Sequence, residues 1–96
     1  RRIAALASAR GVKVAPHAWG SGVLFAASIH LAMALPNTHI LEVSQGYMPM
    51  MNELFEEEYD IRDGRVYPPE GPGLGFTLRD DALERFKYIE GPESIF

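Results

Sequence analysis

The feature that most constrains this chain is the run at 23–35, thirteen residues whose only polar members are Ser28 and His30. A bilayer span needs about 20 apolar residues, so the run is too short for a transmembrane helix. It carries the punctuation of a buried helix instead. Ser21 can cap its start, and Pro36 ends it while biasing Leu35 toward extended backbone. Leu24, Ala27, Leu31 and Leu35 make one stripe, and Phe25, Ile29 and Met33 occupy the opposite face. A helix apolar all round needs cover on two sides, which a chain of 96 residues can scarcely supply. The helix therefore fits a thicker protein, and a lone chain is expected to hide it by self-association or against a partner chain.

Composition narrows the class. With 47% hydrophobic and 23% charged residues the chain can build a core, which argues against disorder. It has no cysteine, so disulfides and thiolate chemistry are excluded, which suits a cytoplasmic location. Nine Lys plus Arg stand against thirteen Asp plus Glu, a net charge of −4, with no basic run. Nucleic acid and anionic membranes are accordingly not expected partners. Residues 1–10 look helical, with Ile3, Leu6 and Ala7 at helical spacing and Gly11 placed for a left-handed C′ position. Ser8 and Arg10 break this stretch too early for a signal peptide.

Two short strands, 12–15 and 40–44, flank the apolar helix. A helical crossover joins neighbouring parallel strands, so these two should lie side by side, and residues 1–44 read as αβαβ. Farther on, 59–67 reads as a hairpin around Asp63-Gly64, a pair suited to a type I′ turn. A loop at 68–75 follows, and then a short helix with Asp80 as cap and Leu83, Phe86 and Ile89 on one face.

Parity brings two ionisable residues together. Ile40, Glu42 and Ser44 share one face of their strand and Leu41 and Val43 the other, while His17 shares its parity with Ala15. If Leu41, Val43, Val12 and Val14 face covering helices, His17 and Glu42 converge at the C-terminal edge of the sheet, where parallel α/β folds place their sites. From pattern alone a lone His after a strand is more often a hydrogen-bonded structural residue than a catalyst. Glu42, between two aliphatic residues of a buried strand, needs a partner or a purpose. His30 and His39 read as structural. Glu53, Glu56, Glu57, Glu58 and Asp60 read as a solvated face rather than a cation site.

The segment Val14-Ala15-Pro16-His17-Ala18-Trp19-Gly20-Ser21-Gly22, the apolar helix, Leu35-Pro36-Asn37 and Ile40-Leu41-Glu42 together resemble the C-terminal part of the mandelate racemase and muconate lactonizing enzyme family, in the enolase superfamily. Asp63-Gly64-Arg65-Val66 and Gly71-Pro72-Gly73-Leu74-Gly75 resemble that family's closing hairpin and Gly-rich loop. The Pro-His element and the 25-residue step from His17 to Glu42 are most similar to the acid-sugar dehydratases of the galactonate type.

The resemblance implies an α/β fold, the C-terminal segment of a (β/α)7β TIM-like barrel. Residues 1–58 would hold its seventh and eighth strands, and 59–96 a hairpin and helix tail packing toward a capping domain absent from this chain. It implies His17 as general acid/base and Glu42 as a hydrogen-bond partner of the substrate carboxylate or the derived enediolate. An imidazole's reference pKa of about 6.5 suits both halves of that role. It further implies Mg²⁺, with three acidic ligands upstream of Arg1 and none in this chain, and an upstream Asp to orient His17. Trp19 would line the mouth of the pocket, or else pack under a loop. The expected substrate is a small sugar acid and the expected assembly a homo-oligomer. The expected reaction is loss of water, with racemisation or epimerisation in the same family, or a catalytically inactive fragment, as the alternatives.

Overall fold

The computed structural model describes residues 1–91, and the last five residues of the expected tail lie outside that range. Six elements follow in order: α1 (Arg2–Ser8), α2 (Gly22–Ala34), α3 (Pro49–Asn52), β1 (Ile61–Arg62), β2 (Arg65–Val66) and α4 (Ala82–Arg85).

Local chemistry sets most of these boundaries. Helix α1 is closed by Gly11 at φ +67°, with Val12 N–H donating to Ala7 O and Gly11 N–H to Ser8 O, the paired bonds of a Schellman motif. It is shorter than the expected 1–10. Its apolar residues also do not form the buried face, since Ile3 and Leu6 are exposed and only Ala4 is buried. In α2, Ser21 Oγ accepts from the Leu24 N–H, and Leu35 leaves the helix in extended backbone ahead of Pro36.

The apolar character of α2 on every side left its inner face open, and the structure selects Phe25, Ala26, Ile29 and Ala32. Val23, Leu24 and Met33 are exposed, so the stripe begun by Leu24 and Ala27 is the outer one. Two clusters form on the inner face. Ala18, Phe25, Ile29 and Met51 pack with Leu41, Val43 and Tyr59, and Ala26, Leu54, Phe55 and Ala82 pack with Leu74, Phe76 and Phe86. Tyr59 joins them. Its ring meets Phe25 edge-on at 4.8 Å, and its hydroxyl donates toward the carbonyls of Gly22 and Met51. Burial pushes the Tyr59 phenol up to about 12. Gly22 sits so close beneath it that a Cβ there would lie 2.8 Å from the Tyr59 oxygen.

The expected strands at 12–15 and 40–44 are not formed as such. They reduce to a parallel bridge between Val14 and Thr38, with Val14 N–H donating to Asn37 O and His39 N–H to Val14 O. The direction agrees with a crossover connection, but contact begins at Thr38, two residues before the expected start. Two buried parallel strands need further strands beside them to complete their ladders, and the described residues provide no third. Val12 is exposed rather than turned toward a helix. Asn37 ties the junction together by donating to the carbonyls of Ala4 and Val12.

The tail follows its turn chemistry closely. Ile61 pairs with Val66 and Arg62 with Arg65, around Asp63 at φ 52° and Gly64 at φ 69°, as a type I′ turn requires. The Gly-rich loop is held by His30, whose Nε2–H donates to Leu74 O at 2.9 Å. Gly75 is obligatory there, because a Cβ would lie 2.5 Å from the Pro69 ring. The N-cap of α4 is Asp81, not Asp80, and its side chain makes no capping hydrogen bond. Ala82 is its buried contact, whereas Leu83 and Ile89 are exposed, contrary to the expected apolar face.

Most of the acidic stretch is engaged in ordinary surface contacts. Glu53 pairs with Arg85, Asp60 with Arg62, and Glu57 accepts from both the backbone N–H and the hydroxyl of Thr77. Those Thr77 bonds, the backbone one foremost, hold the Glu57 carboxyl below its ordinary value of 4.5. A depressed folded-state pKa means the contact contributes stability above the ordinary value and loses it as pH falls through the lower folded value. In an NMR titration the Thr77 amide should therefore shift with a midpoint below 4.5; a midpoint at or above 4.5 would show that the bond does not hold the carboxylate.

Candidate active site

The approach to His17 is set by sequence. Pro16 fixes φ and keeps Ala15 extended, so the chain leaves the Val14 bridge straight. Ala18 is buried under Phe25 and Met51, which turns its neighbours His17 and Trp19 outward. Gly20 then takes φ +146°, and Ser21 opens α2. On the other segment Leu41 and Val43 pack against the same cluster, and alternation turns Glu42 to the opposite side.

These two placements meet. His17 Nδ1 lies 2.7 Å from Glu42 Oε2, with the side chains 65% and 54% exposed. An ionised carboxylate only accepts, so Nδ1 carries the proton and, in the neutral ring, Nε2 is left as a free base. At such exposure the pair contributes at most about 1 kcal/mol to stability. Its geometry therefore matters more for the chemistry of the ring than for holding the fold. Trp19 is 52% exposed and lies nearly parallel to the His17 ring, at 11° with centroids 6.4 Å apart.

The other histidines take no part. His30 holds the Gly-rich loop, and His39 offers its backbone N–H to Val14. Among the described residues no group of three or more His, Cys, Asp or Glu side chains is arranged to hold a metal ion. The described residues therefore do not fit a Mg²⁺ site of their own. Likewise, no helix among the described residues is long and apolar enough to cross a membrane. Tyr47, Met48 and Met50 line a cavity with Trp19, and their sequence signal is only their place in the segment that leads from Glu42 into α3.

The family model described as enolase C-terminal domain-like matches residues 1–82. A D-galactonate dehydratase family member from Streptomyces bingchenggensis is 40% identical over 90 residues, covering 92% of this chain and 22% of that protein. A D-galactarolactone cycloisomerase from Agrobacterium fabrum is 34% identical over 95 residues, covering 91% of this chain and 25% of its own length. Among solved structures, a mandelate racemase/muconate lactonizing enzyme from Jannaschia sp. CCS1 superposes with a TM-score of 0.78 at 33% identity, over 94% of this chain and 23% of that one. The chain thus spans about a quarter of the length of the curated relatives it matches. With the family model covering most of its length, this chain belongs to the enolase C-terminal domain-like family, in the mandelate racemase and muconate lactonizing enzyme branch of the enolase superfamily, as the C-terminal portion of the enolase-fold domain.

Proposed function

We propose that this chain is the C-terminal part of a Mg²⁺-dependent acid-sugar dehydratase, in which His17 moves protons at the substrate and Glu42, which the resemblance implies as a hydrogen-bond partner of the substrate carboxylate or enediolate, also faces His17 Nδ1 and orients its ring. The observation that carries the reading is the 2.7 Å contact between His17 Nδ1 and Glu42 Oε2. With Nδ1–H committed to the carboxylate, Nε2 is the atom that takes the proton α to the substrate carboxylate. Glu42 stabilises the imidazolium that results. The same imidazolium then returns a proton to the hydroxyl leaving the adjacent carbon, so one water departs and the base is restored. The product is an enol, which tautomerises to a 2-oxo-3-deoxy acid. On this reading the Mg²⁺ ligands would lie outside the described residues, which hold no group of three or more His, Cys, Asp or Glu arranged for a metal, and no step above is routed through them.

The test is to incubate the intact enzyme with a panel of sugar acids and follow formation of 2-oxo-3-deoxy acids. Loss of water from at least one supports the reading, and inversion without loss of water replaces it with racemisation or epimerisation. The 34% identical cycloisomerase keeps isomerisation as the second reading.

Glu42→Gln is a sharper probe of the pair. An amide can donate to Nδ1 and so place the ring proton on Nε2, the wrong atom for a base. Turnover should fall by about 10²-fold or more, with little change in the denaturation midpoint. Unchanged kcat and KM would remove Glu42 from the mechanism.

A further inference from the structure

We infer that Trp19 is a positioning residue for the proton transfer: its indole, stacked on the imidazole of His17, fixes the plane of that ring and so the direction in which Nε2 points. This rests on the reading of His17 given above. The hydrogen bond to Glu42 does not fix that direction alone. It holds one atom, Nδ1, at 2.7 Å from Glu42 Oε2, and the Glu42 side chain is itself 54% exposed. The torsion that turns a histidine ring has broad wells, so the ring and an exposed carboxylate can swing together while their bond is kept. Nε2 lies off the axis of that swing and is carried with it. A base that must meet one C–H bond loses rate steeply when it is misaligned.

The indole supplies the second constraint. Its plane lies 11° from that of the imidazole with centroids 6.4 Å apart, inside the range of about 4.5–7 Å for offset-stacked rings. An imidazole that turned out of this plane would give up the stack. The contact is made by neighbouring residues: Ala18 is buried under Phe25 and Met51 and turns His17 and Trp19 outward on either side of it, and Gly20 at φ +146° then leads the chain into α2. It therefore depends on three consecutive residues and the cluster beneath them. The stack acts on orientation rather than on charge, because 6.4 Å is beyond the roughly 6 Å over which a cation is drawn to a ring face.

The test is made on the intact enzyme with Trp19→Leu and Trp19→Phe, using the sugar acid that the panel identifies. Trp19→Leu keeps apolar bulk but removes the flat ring, so kcat should fall about 10-fold while KM stays within about 2-fold of the parent. Trp19→Phe restores a flat ring and should recover most of the lost kcat. A side chain that merely filled space would be replaced as well by Leu as by Phe. A second readout needs no turnover: the order parameter of the His17 Cε1–H bond, from ¹³C relaxation with the signal identified by its loss in His17→Asn, should drop in Trp19→Leu and return in Trp19→Phe. A rise in KM with kcat unchanged would make Trp19 a substrate contact and overturn the inference. Equal kcat in the Leu and Phe variants, or a ring order unmoved by Trp19→Leu, would overturn it too. If no sugar acid loses water while the ring loosens in Trp19→Leu and tightens again in Trp19→Phe, the dehydratase reading fails and the positioning of the ring by Trp19 stands.

Discussion

His17→Asn in the intact enzyme is expected to lower kcat by about 10³-fold or more while leaving the denaturation midpoint within experimental error of the parent. Asparagine keeps an amide donor that can still face Glu42, so the local contact and the outward turn after buried Ala18 survive. It has no atom that can take and return a proton near neutral pH, and acid–base groups of this kind contribute about 10²–10⁴-fold each. His17 serves both the abstraction and the return, so its loss should fall toward the upper end. Little stability is at stake, because a pair 65% and 54% exposed contributes at most about 1 kcal/mol. The measurement is turnover of the substrate identified by the panel, with a urea titration on the same samples. Retention of most activity would sink the assignment, and a large drop in the midpoint would show that His17 is structural.

Features fixed by neighbouring residues were legible in the sequence. The turn at Asp63-Gly64 needs two positive φ values, and those two residues tolerate them, so the hairpin and its register follow. Ser21, Leu35 and Pro36 bound α2 for equally local reasons. The juxtaposition of His17 and Glu42 follows from the period of extended backbone, because Leu41 and Val43 take the packed side. Features that depend on distant partners were not legible. A helix apolar on every side offers no preference for Phe25 over Leu24, and the choice is made by Met51 and Tyr59 arriving from elsewhere in the chain. The parallel strands shrink to the Val14–Thr38 bridge because ladders need neighbours that local sequence cannot provide. The sequence places the cap of α4 at Asp80, whereas the structure has Asp81 there. Neither side chain caps the helix, and the Asp81 carboxylate is instead 3.5 Å from Arg79.

Phe25→Ala should be the most damaging single change in the described fold, and it should reach the site as well. Phe25 is 1% exposed, one of the largest fully buried side chains, and its ring is met edge-on by Tyr59. Truncating a buried phenylalanine costs about 3–5 kcal/mol, a large part of the roughly 5–15 kcal/mol that holds a domain folded. The cluster it anchors includes Ala18, next to His17, and Leu41 and Val43, on either side of Glu42. A cavity there removes the packing that turns both catalytic candidates outward, so kcat should fall even under conditions where the variant stays folded. Phe25→Leu, which keeps most of the volume, should cost less than about 1.5 kcal/mol. Leu83→Ala, at a side chain 81% exposed, should stay within about 0.5 kcal/mol. Urea midpoints of the three variants, with kcat measured well below each midpoint, decide the matter. If Phe25→Ala unfolded no more easily than Leu83→Ala, the cluster would not be what positions His17 and Glu42.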